Sequence, residues 1–314
     1  MSLLSLIIAL ILEQWRPLAD RGGLFDPLAR YANYLESQFN AGEERQGMAA
    51  WLLAVLPAVL GAWLIYWVAA HAGPLGPLAA LAINVAALYI TMGFRQFSHA
   101  FTAIHLALKE EDLPRARQIL SDWLGKNCGD LTREEVARLT IEEALTASHR
   151  HVFGVVFWFV VLPGPCGAIL YRLAMFLARR WGAADPSSAS ARGAFGKFAR
   201  DAFAILDWIP VRITAIAFAV VGNFEDAVYC WRTQAAKWSD PALGIVLAAG
   251  AGALGVRLGM PIANVDGSAA DRSELGVGED ADTAFLDSTI GLVWRALVLY
   301  LLMLLLLGVA KAVS

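Results

Sequence analysis

Two opposite charges lie within an apolar stretch of the chain, ILDWIPVRIT, residues 205–214. Asp207 and Arg212 flank Pro210 in this stretch. An unpaired charge at membrane depth is costly, so the two side chains must pair, face protein or water, or bind a ligand. On an unbroken helix they lie about 140° apart, so an ion pair requires a bend, which Pro210 could supply. Two interpretations stay open: a structural ion pair, and an Arg212 that meets a phosphate or carboxylate at the cytoplasmic membrane surface.

The other ionisable residues do not form a recognisable metal or nucleotide motif. His149 and His151 are two residues apart and His99 and His105 are six apart, which is not the i, i+4 spacing of a helical metal site. No GxxxxGK[ST] phosphate loop occurs. We predict no metal ligands and no catalytic residues. His149, Arg150 and His151 are interpreted as a basic collar at the membrane surface, with the alternative that they bind an anionic ligand.

The composition is that of a membrane protein. Of the 314 residues, 58% are hydrophobic and 17% are charged, whereas soluble domains carry about 25% charged residues. The net charge of -3 and the lack of a basic stripe exclude a polybasic nucleic-acid protein. Cys128, Cys166 and Cys230 are far apart and predict buried small side chains, neither a disulfide framework nor a zinc site. The predicted partner is the lipid bilayer.

Four apolar runs predict membrane spans. They are a short or tilted helix at 3–12, a charge-free run at 49–70, its return at 74–94, and a final run at 289–310. The charge-free run at 49–70 is long enough to cross a hydrocarbon core of about 30 Å at 1.5 Å per residue. The sequence therefore predicts a multi-pass protein.

Two further apolar runs contain helix-breaking residues. The run at 152–171 is interrupted by Pro163, Gly164 and Pro165, and the run at 203–221 contains Pro210. Both flanks of the first run are basic, which by the positive-inside rule places them in the cytoplasm. We therefore predict that both runs are re-entrant or broken helices, in a protein of the bacterial cytoplasmic (inner) membrane.

Polar segments connect these runs. We predict a cytoplasmic helical segment at 95–151, a small-residue linker at 183–196, and a solvated loop at 264–288, which holds seven acidic residues against one arginine. Gly255 and Gly259 have a spacing that favours close helix packing over ligand contact. The predicted fold is all-α, a polytopic integral membrane helical protein forming one domain over 1–314.

Several stretches together resemble the CobD/CbiB superfamily of cobalamin-biosynthesis membrane proteins, most closely its AmpE-like branch, named for a regulator linked to β-lactamase induction. The stretches are HLALKEEDLPRARQILSDWLGKNC, GAILYRLAMFLARRWG, ILDWIPVRITAIAFAVVGN and AGAGALGVRLGMPI. In the first, Arg117 and Gly125 match the family pattern, while Asn127 and Cys128 replace its last Asp and Thr. The third is similar to the DWVPVR of the AmpE-like branch.

The chain departs from the enzymes of the family at their acidic positions. In LTASHRHVFG, Gly154 matches, but other residues replace the Glu, Asn and Asp of the enzymes. The replacing residues here and in two later motifs are His149, Arg150, Phe153, Met175, Ala178 and Leu247. An ATP-dependent ligase needs hard oxygen ligands for magnesium. The resemblance therefore implies a catalytically degenerate protein without synthase activity.

The leading hypothesis is a ligand-binding, sensory or regulatory membrane protein acting in signalling. Its candidate ligand-binding residues are Asp207, Arg212, Arg172, His149, Arg150, Arg117 and Asn127. Its partner would be an anionic small molecule or a protein, and it could be a homo-oligomer. The alternative is the activity of the enzyme branch, adenosylcobinamide-phosphate synthase, which would bring ATP with magnesium or a corrinoid as cofactors. A structural subunit is a third reading, favoured only by the 11 tryptophans.

Overall fold

The computed structural model describes residues 2–15, 21–40, 43–182, 191–263, 269–270 and 272–313. The protein is 84% helical, which confirms the predicted all-α class. The helices are α1 (Ser2–Trp15), α2 (Arg21–Phe39), α3 (Glu44–Ala70), α4 (Gly76–Thr91), α5 (Phe94–Lys109), α6 (Leu113–Leu124), α7 (Arg133–Ser148), α8 (Gly154–Val161), α9 (Cys166–Gly182), α10 (Ala191–Val221), α11 (Phe224–Gln234), α12 (Pro241–Leu254) and α13 (Thr283–Val313). A π-helical turn, His149–Phe153, joins α7 to α8.

Five helical rods in the described part of the chain are long and apolar enough to cross a membrane. They are Glu44–Ala70, Gly73–Thr91, Arg133–Val161, Ala194–Val221 and Thr283–Ala310. The predicted spans at 49–70, 74–94 and 289–310 each coincide with one of them. The helix at the amino terminus is apolar but short, as expected for 3–12. The protein is thus a multi-pass membrane protein, and the lipid bilayer is its environment.

The contacts divide the chain into two compact units. The first unit contains Met1–Met92 and Gly154–Trp208, and the second contains Gly93–Phe153 and Ile209–Ser314. The single membrane domain expected over 1–314 stays a prediction.

The first unit has an aromatic core between α3, α9 and α10. Trp51, Trp181 and Phe195 are buried in it, and the rings of Trp181 and Phe195 meet edge to face at 5.2 Å. Gly47 lets α3 approach α10 closely, because a Cβ at this position would lie 2.0 Å from the Phe195 carbonyl oxygen. The helix backbones therefore pack in direct contact.

The second unit contains a helix of small residues, α12, that packs closely against two neighbours. A Cβ on Gly250 would lie 2.8 Å from a methyl group of Leu145 in α7, and a Cβ on Gly252 would lie 2.4 Å from the carbonyl oxygen of Asp226 in α11. Small residues at helix interfaces allow this approach.

Gly255 and Gly259 do not mediate helix packing, so that prediction was wrong. Both have a positive φ, 69° and 77°, a conformation that glycine adopts without steric cost. Gly255 ends α12, and the chain continues into short strands instead of a helix. Val256–Arg257 pairs in parallel with Glu279–Asp280, and Ile262–Ala263 pairs antiparallel with Ala269–Ala270.

The predicted break within 152–171 is confirmed at residues 162–165. Gly164 has a φ of 62° between two prolines, and α9 folds back on α8, since a Cβ on Gly167 would lie 1.8 Å from the Trp158 carbonyl oxygen. The first arm is longer than a short dip into the membrane, because α7, the π-helical turn and α8 form one rod over Arg133–Val161.

The predicted break within 203–221 was wrong. Helix α10 runs without interruption through Pro210. A single proline removes one backbone hydrogen bond, and membrane helices tolerate this loss because their surroundings satisfy the freed carbonyl. At 163–165, by contrast, two prolines flank a glycine with a positive φ, so the backbone leaves the right-handed helical conformation and the helix ends.

Two predicted loops end earlier than expected. The acidic loop at 264–288 ends before Thr283, because the Asp282 carboxylate accepts hydrogen bonds from the N–H groups of Ala284 and Phe285 and starts α13. Of the predicted linker at 183–196, residues 183–190 lie outside the described residues. The rest is helical, since α10 begins at Ala191.

The segment at 95–151 is helical as predicted, with capped turns between α5, α6 and α7. Asp112 accepts the N–H of Arg115 at 3.1 Å and Gly125 ends α6 with a φ of 65°. Thr132 and Glu135 form a reciprocal capping box at the start of α7.

The predicted cytoplasmic placement of 95–151 and 172–200 applies, for the first segment, to the residues before the Arg133–Val161 rod, because that rod is long and apolar enough to cross the membrane. This placement is testable by cysteine labelling. We expect engineered cysteines at the exposed Lys126 and Arg179 to react with a membrane-impermeant maleimide only after intact spheroplasts are permeabilised. A cysteine at Leu75, which is 67% exposed in the turn between α3 and α4, should react without permeabilisation. The native cysteines are buried and give little background. Labelling of Lys126→Cys and Arg179→Cys from opposite sides would contradict the topology.

Candidate functional site

In the first unit, Asp207 is held by Tyr171. The Tyr171 hydroxyl donates a hydrogen bond to the Asp207 carboxylate at 2.7 Å, and both side chains are buried. Gly154 makes the room for Tyr171, because a Cβ at residue 154 would lie 2.4 Å from the tyrosine hydroxyl oxygen. A glycine is therefore needed at residue 154, because any side chain there would collide with the Tyr171 ring.

The bend predicted between Asp207 and Arg212 does not form, since α10 is continuous between them. Their side chains therefore leave the helix about 140° apart. Arg212 lies in the second unit and is partly buried, whereas Arg172 is a partly buried residue of the first unit.

The second unit contains a buried charge cluster that the sequence did not predict. The Glu142 carboxylate accepts a hydrogen bond from the Gly259 N–H at 2.8 Å and forms an ion pair with Arg272. Arg138, one helical turn before Glu142, donates to the Gly259 carbonyl oxygen at 3.0 Å. The Gly259 residue is thus held through both its N–H and its carbonyl by two side chains of α7.

Arg272 lies between a carboxylate and an aromatic ring. Its guanidinium is 5.1 Å from the ring centre of Trp238, a distance at which cation–π attraction operates. Its side chain is only 17% exposed. These contacts bind the segment around residue 272 to α7 and to the residues before α12.

His149 is fully buried, so the prediction that it belongs to a basic collar at the membrane surface was wrong. Its Nδ1 lies 2.9 Å from the Thr214 hydroxyl, which in turn lies 3.4 Å from the Tyr300 hydroxyl. Phe153, four residues after His149, is also fully buried. Its ring contacts the rings of Phe218 and Tyr300. The π-helical turn therefore faces an aromatic interior.

The remaining candidates make structural contacts. Arg150 forms an ion pair with Asp240 at 3.3 Å. Arg117 donates to the Leu131 carbonyl oxygen at 2.7 Å, and Asn127 accepts the N–H of Gly129 at 2.9 Å. Arg117 and Asn127 therefore stabilise the connection between α6 and α7.

The three cysteines are free and buried, as predicted. Burial, and then the neighbouring Asp226, raise the pKa of Cys230 to about 11. Burial likewise raises the pKa of Cys128. Neutral buried thiols are poor nucleophiles and poor metal ligands.

The donor set does not fit a magnesium–nucleotide site at the positions where the resemblance implies acidic residues in the enzymes. Phe153 and Leu247 are buried apolar side chains, and His149 offers an imidazole nitrogen that is engaged by Thr214. Magnesium takes oxygen ligands in octahedral geometry. Among the described residues, no group of three or more His, Cys, Asp or Glu side chains could hold a metal ion.

Comparison with known proteins gives one family. The family model described as CobD/Cbib protein matches residues 5–293. A protein of Stutzerimonas stutzeri (strain A1501) named Cobalamin biosynthesis protein CobD is 35% identical over 306 residues, covering 96% of each chain. A Chromobacterium violaceum protein of the same name is 35% identical and covers 88% of this chain and 87% of its own. No solved structure gives a significant match.

The buried ion pair of Glu142 is expected to dominate the stability of the second unit. Glu142→Leu removes the carboxylate but leaves Arg272 and the Gly259 N–H without their acceptor, so the free energy of unfolding should fall by about 3–5 kcal/mol. Glu142→Gln keeps an acceptor for Gly259 and should be milder. Denaturant unfolding in detergent micelles measures the difference.

The control for this experiment is Arg257→Met. Arg257 pairs with Asp280 at 2.9 Å, but both side chains are exposed, 39% and 58%, so the loss should be at most about 1 kcal/mol. Equal losses in the Glu142 and Arg257 variants would contradict the assignment of Glu142 as a buried anchor.

Gly154→Ala is expected to displace the Tyr171 ring and weaken its hydrogen bond to Asp207. Overpacking of this kind destabilises by about 1–3 kcal/mol. Gly61→Ala in α3 is the matched control, because a Cβ there meets nothing within 4 Å, and it should be neutral or stabilising. Thermal unfolding followed by tryptophan fluorescence tests both variants, and equal melting temperatures would refute the close contact.

Proposed function

The chain belongs to the CobD/CbiB protein family of cobalamin biosynthesis, and from this we propose that it is a catalytically degenerate, ligand-binding member. It acts as a sensory or regulatory protein in the cytoplasmic membrane of a bacterium, not as a synthase. The resemblance to the AmpE-like branch supports this role, since ILDWIPVRIT is similar to a motif of that branch.

One observation carries the proposal. Where the family enzymes place an aspartate, this chain has Phe153, whose ring packs 5.8 Å from Phe218 and 4.9 Å from Tyr300. A magnesium ion bound to phosphate needs water and carboxylate oxygens around it. An interior filled by three aromatic rings excludes both, so a magnesium-dependent ligation has no place at this position.

The ligand of the proposed protein is an anion. The candidate residues are mainly cationic, with Arg172 in the first unit and Arg150 and Arg212 in the second. Guanidinium groups bind carboxylates and phosphates through paired hydrogen bonds. These arginines belong to different units, so each of them has to be tested separately for binding of the anion.

The synthase is a second candidate because of the relatives' names. Two proteins called Cobalamin biosynthesis protein CobD are 35% identical to this chain over most of both lengths. On this alternative, the chain would make adenosylcobinamide phosphate with ATP, and it would have to hold magnesium without the acidic residues of the enzymes.

Complementation separates the two functions. We expect this gene, expressed in a bacterium lacking its own CobD/CbiB synthase, not to restore cobalamin-dependent growth, because His149, Phe153, Ala178 and Leu247 replace the acidic positions. The deleted synthase on the same plasmid is the positive control, and an immunoblot of the membrane fraction shows that this protein is made.

Growth that depends on the plasmid would overturn the degenerate reading and establish the synthase. A second measurement examines the binding role directly: mass spectrometry of small molecules released from the purified protein. We expect an anionic compound at stoichiometric amount, reduced in the arginine variant whose side chain binds it.

A further inference from the structure

Two short stretches of the second unit, residues 256–259 and 272–275, pair with each other. The Leu258 N–H donates to the Leu275 carbonyl oxygen at 2.7 Å, and the Leu275 N–H donates back to the Leu258 carbonyl oxygen at 2.9 Å. Both leucine side chains are fully buried. We call residues 272–275 the latch, because this stretch lies closed on the other one through these two bonds.

Gly276, which follows the latch, is held by neutral hydrogen bonds. Its N–H donates to Gln234 Oε1 at 2.6 Å, and its carbonyl oxygen accepts from Gln234 Nε2 at 3.1 Å. Its φ is 91°, a conformation that glycine adopts without steric cost. Since none of these groups carries a charge, Gly276 is a fixed point about which the latch can turn when charges change nearby.

The other end of the latch is held by a buried ion pair. Arg272 pairs with Glu142 of α7, and its guanidinium lies 5.1 Å from the ring centre of Trp238. The charged groups that act on Glu142 among the described residues are Arg272 and Arg138, which belongs to the same helix as Glu142. Arginine keeps its charge throughout the accessible pH range. The Glu142 carboxyl is therefore the member of this cluster whose charge can change.

Neutralisation of Glu142 would leave two guanidinium groups without their carboxylate. A buried charge without a partner is strongly unfavourable. Arg138 is 8% exposed and is fixed within α7. Arg272, by contrast, lies two residues before Glu274, whose side chain is 52% exposed, so a turn of the latch brings Arg272 to water.

The neutral contacts of the latch are weak in comparison with a buried charge. Ser273 donates to the Lys237 carbonyl oxygen at 3.0 Å in an exposed position, and the Leu258–Leu275 pair contributes two backbone bonds. A neutral hydrogen bond stabilises a protein far less than an unpaired buried charge destabilises it. Loss of the ion pair is thus enough to open the latch locally, as segments with few anchors do.

We propose that Glu142 operates a proton-dependent latch. With its carboxylate ionised, Glu142 holds Arg272 and the latch stays closed on residues 256–259. When the carboxylate takes up a proton from water, Arg272 turns out to solvent, the Leu258–Leu275 pair breaks, and Gly276 serves as the hinge. None of the latch residues is among the candidate anion-binding residues, so the device does not depend on the proposed function.

The test is hydrogen exchange of the full-length protein in detergent micelles, resolved to single amides by mass spectrometry with fragmentation. Glu142→Gln removes the charge and keeps an acceptor for Gly259. We expect it to speed exchange of the Leu258 and Leu275 amides by about tenfold or more at neutral pH. The Gly276 amide, at the hinge, should exchange as in the unmodified protein.

A double variant separates charge from packing. In Glu142→Gln combined with Arg272→Met, both charges are absent and the methionine still covers Trp238, so the latch should close again and the Leu258 and Leu275 amides should slow towards their original rates. Asp280→Asn is the matched control, because it breaks the exposed pair of Asp280 with Arg257. It should leave these rates unchanged.

Acid should have the same effect as Glu142→Gln on the unmodified protein. The ionised carboxylate is the form that holds Arg272, so exchange of Leu258 and Leu275, corrected for the intrinsic effect of pH on exchange, should rise as the pH falls from neutral. In Glu142→Gln the corrected rates should not depend on pH.

Unchanged exchange in Glu142→Gln, an equal rise at Gly276, or the same corrected pH dependence in both proteins would overturn the proposal. So would a double variant that exchanges faster than Glu142→Gln alone. If Glu142→Gln does not fold, the comparison of Leu275 with Gly276 across pH in the unmodified protein still decides.

Discussion

The Glu142 carboxylate must be neutralised inside the protein, and the second unit is arranged around that requirement. Its side chain is only 6% exposed, so water cannot compensate the charge. Arg272 and the Gly259 N–H supply the compensation. Both belong to the chain after α12, so these two residues are held against α7. The burial of the Glu142 charge thus ties α7 to Gly259 and Arg272, which are far from it in the sequence.

Aromatic side chains fill the interior of the same unit around the π-helical turn. Phe153, Phe218 and Tyr300 form a contiguous group around the π-helical turn, and His149 is satisfied by Thr214. Such packing stabilises the helices against one another, but it removes the oxygen ligands and the open space that a metal-bound nucleotide would require. This packing supports the proposal that the chain belongs to the family without its synthase chemistry.

Local sequence signals predicted the helices well and the contacts of the site poorly. The charge-free run in α3 and the Pro163–Gly164–Pro165 break depend on nearby residues, so they were predictable. The outcome at Pro210 depended on its surroundings and was missed. Tyr171 and Asp207 are 36 residues apart and Glu142 and Arg272 are 130 apart, and no spacing rule relates such positions. Arg138 and Glu142, one helical turn apart, carried the only local hint.

The π-helical turn at His149–Phe153 gives the rod one residue more than an α-helix would use between Ser148 and Gly154. Each added residue rotates the following side chains by about 100°. A one-residue deletion within this turn would therefore keep the rod helical and rotate the side chains that follow the turn about the helix axis. The turn is thus a position where the chain can lose or gain a residue and remain helical. When related sequences are aligned across this turn, the helix face that each residue occupies should be compared as well as the residue type.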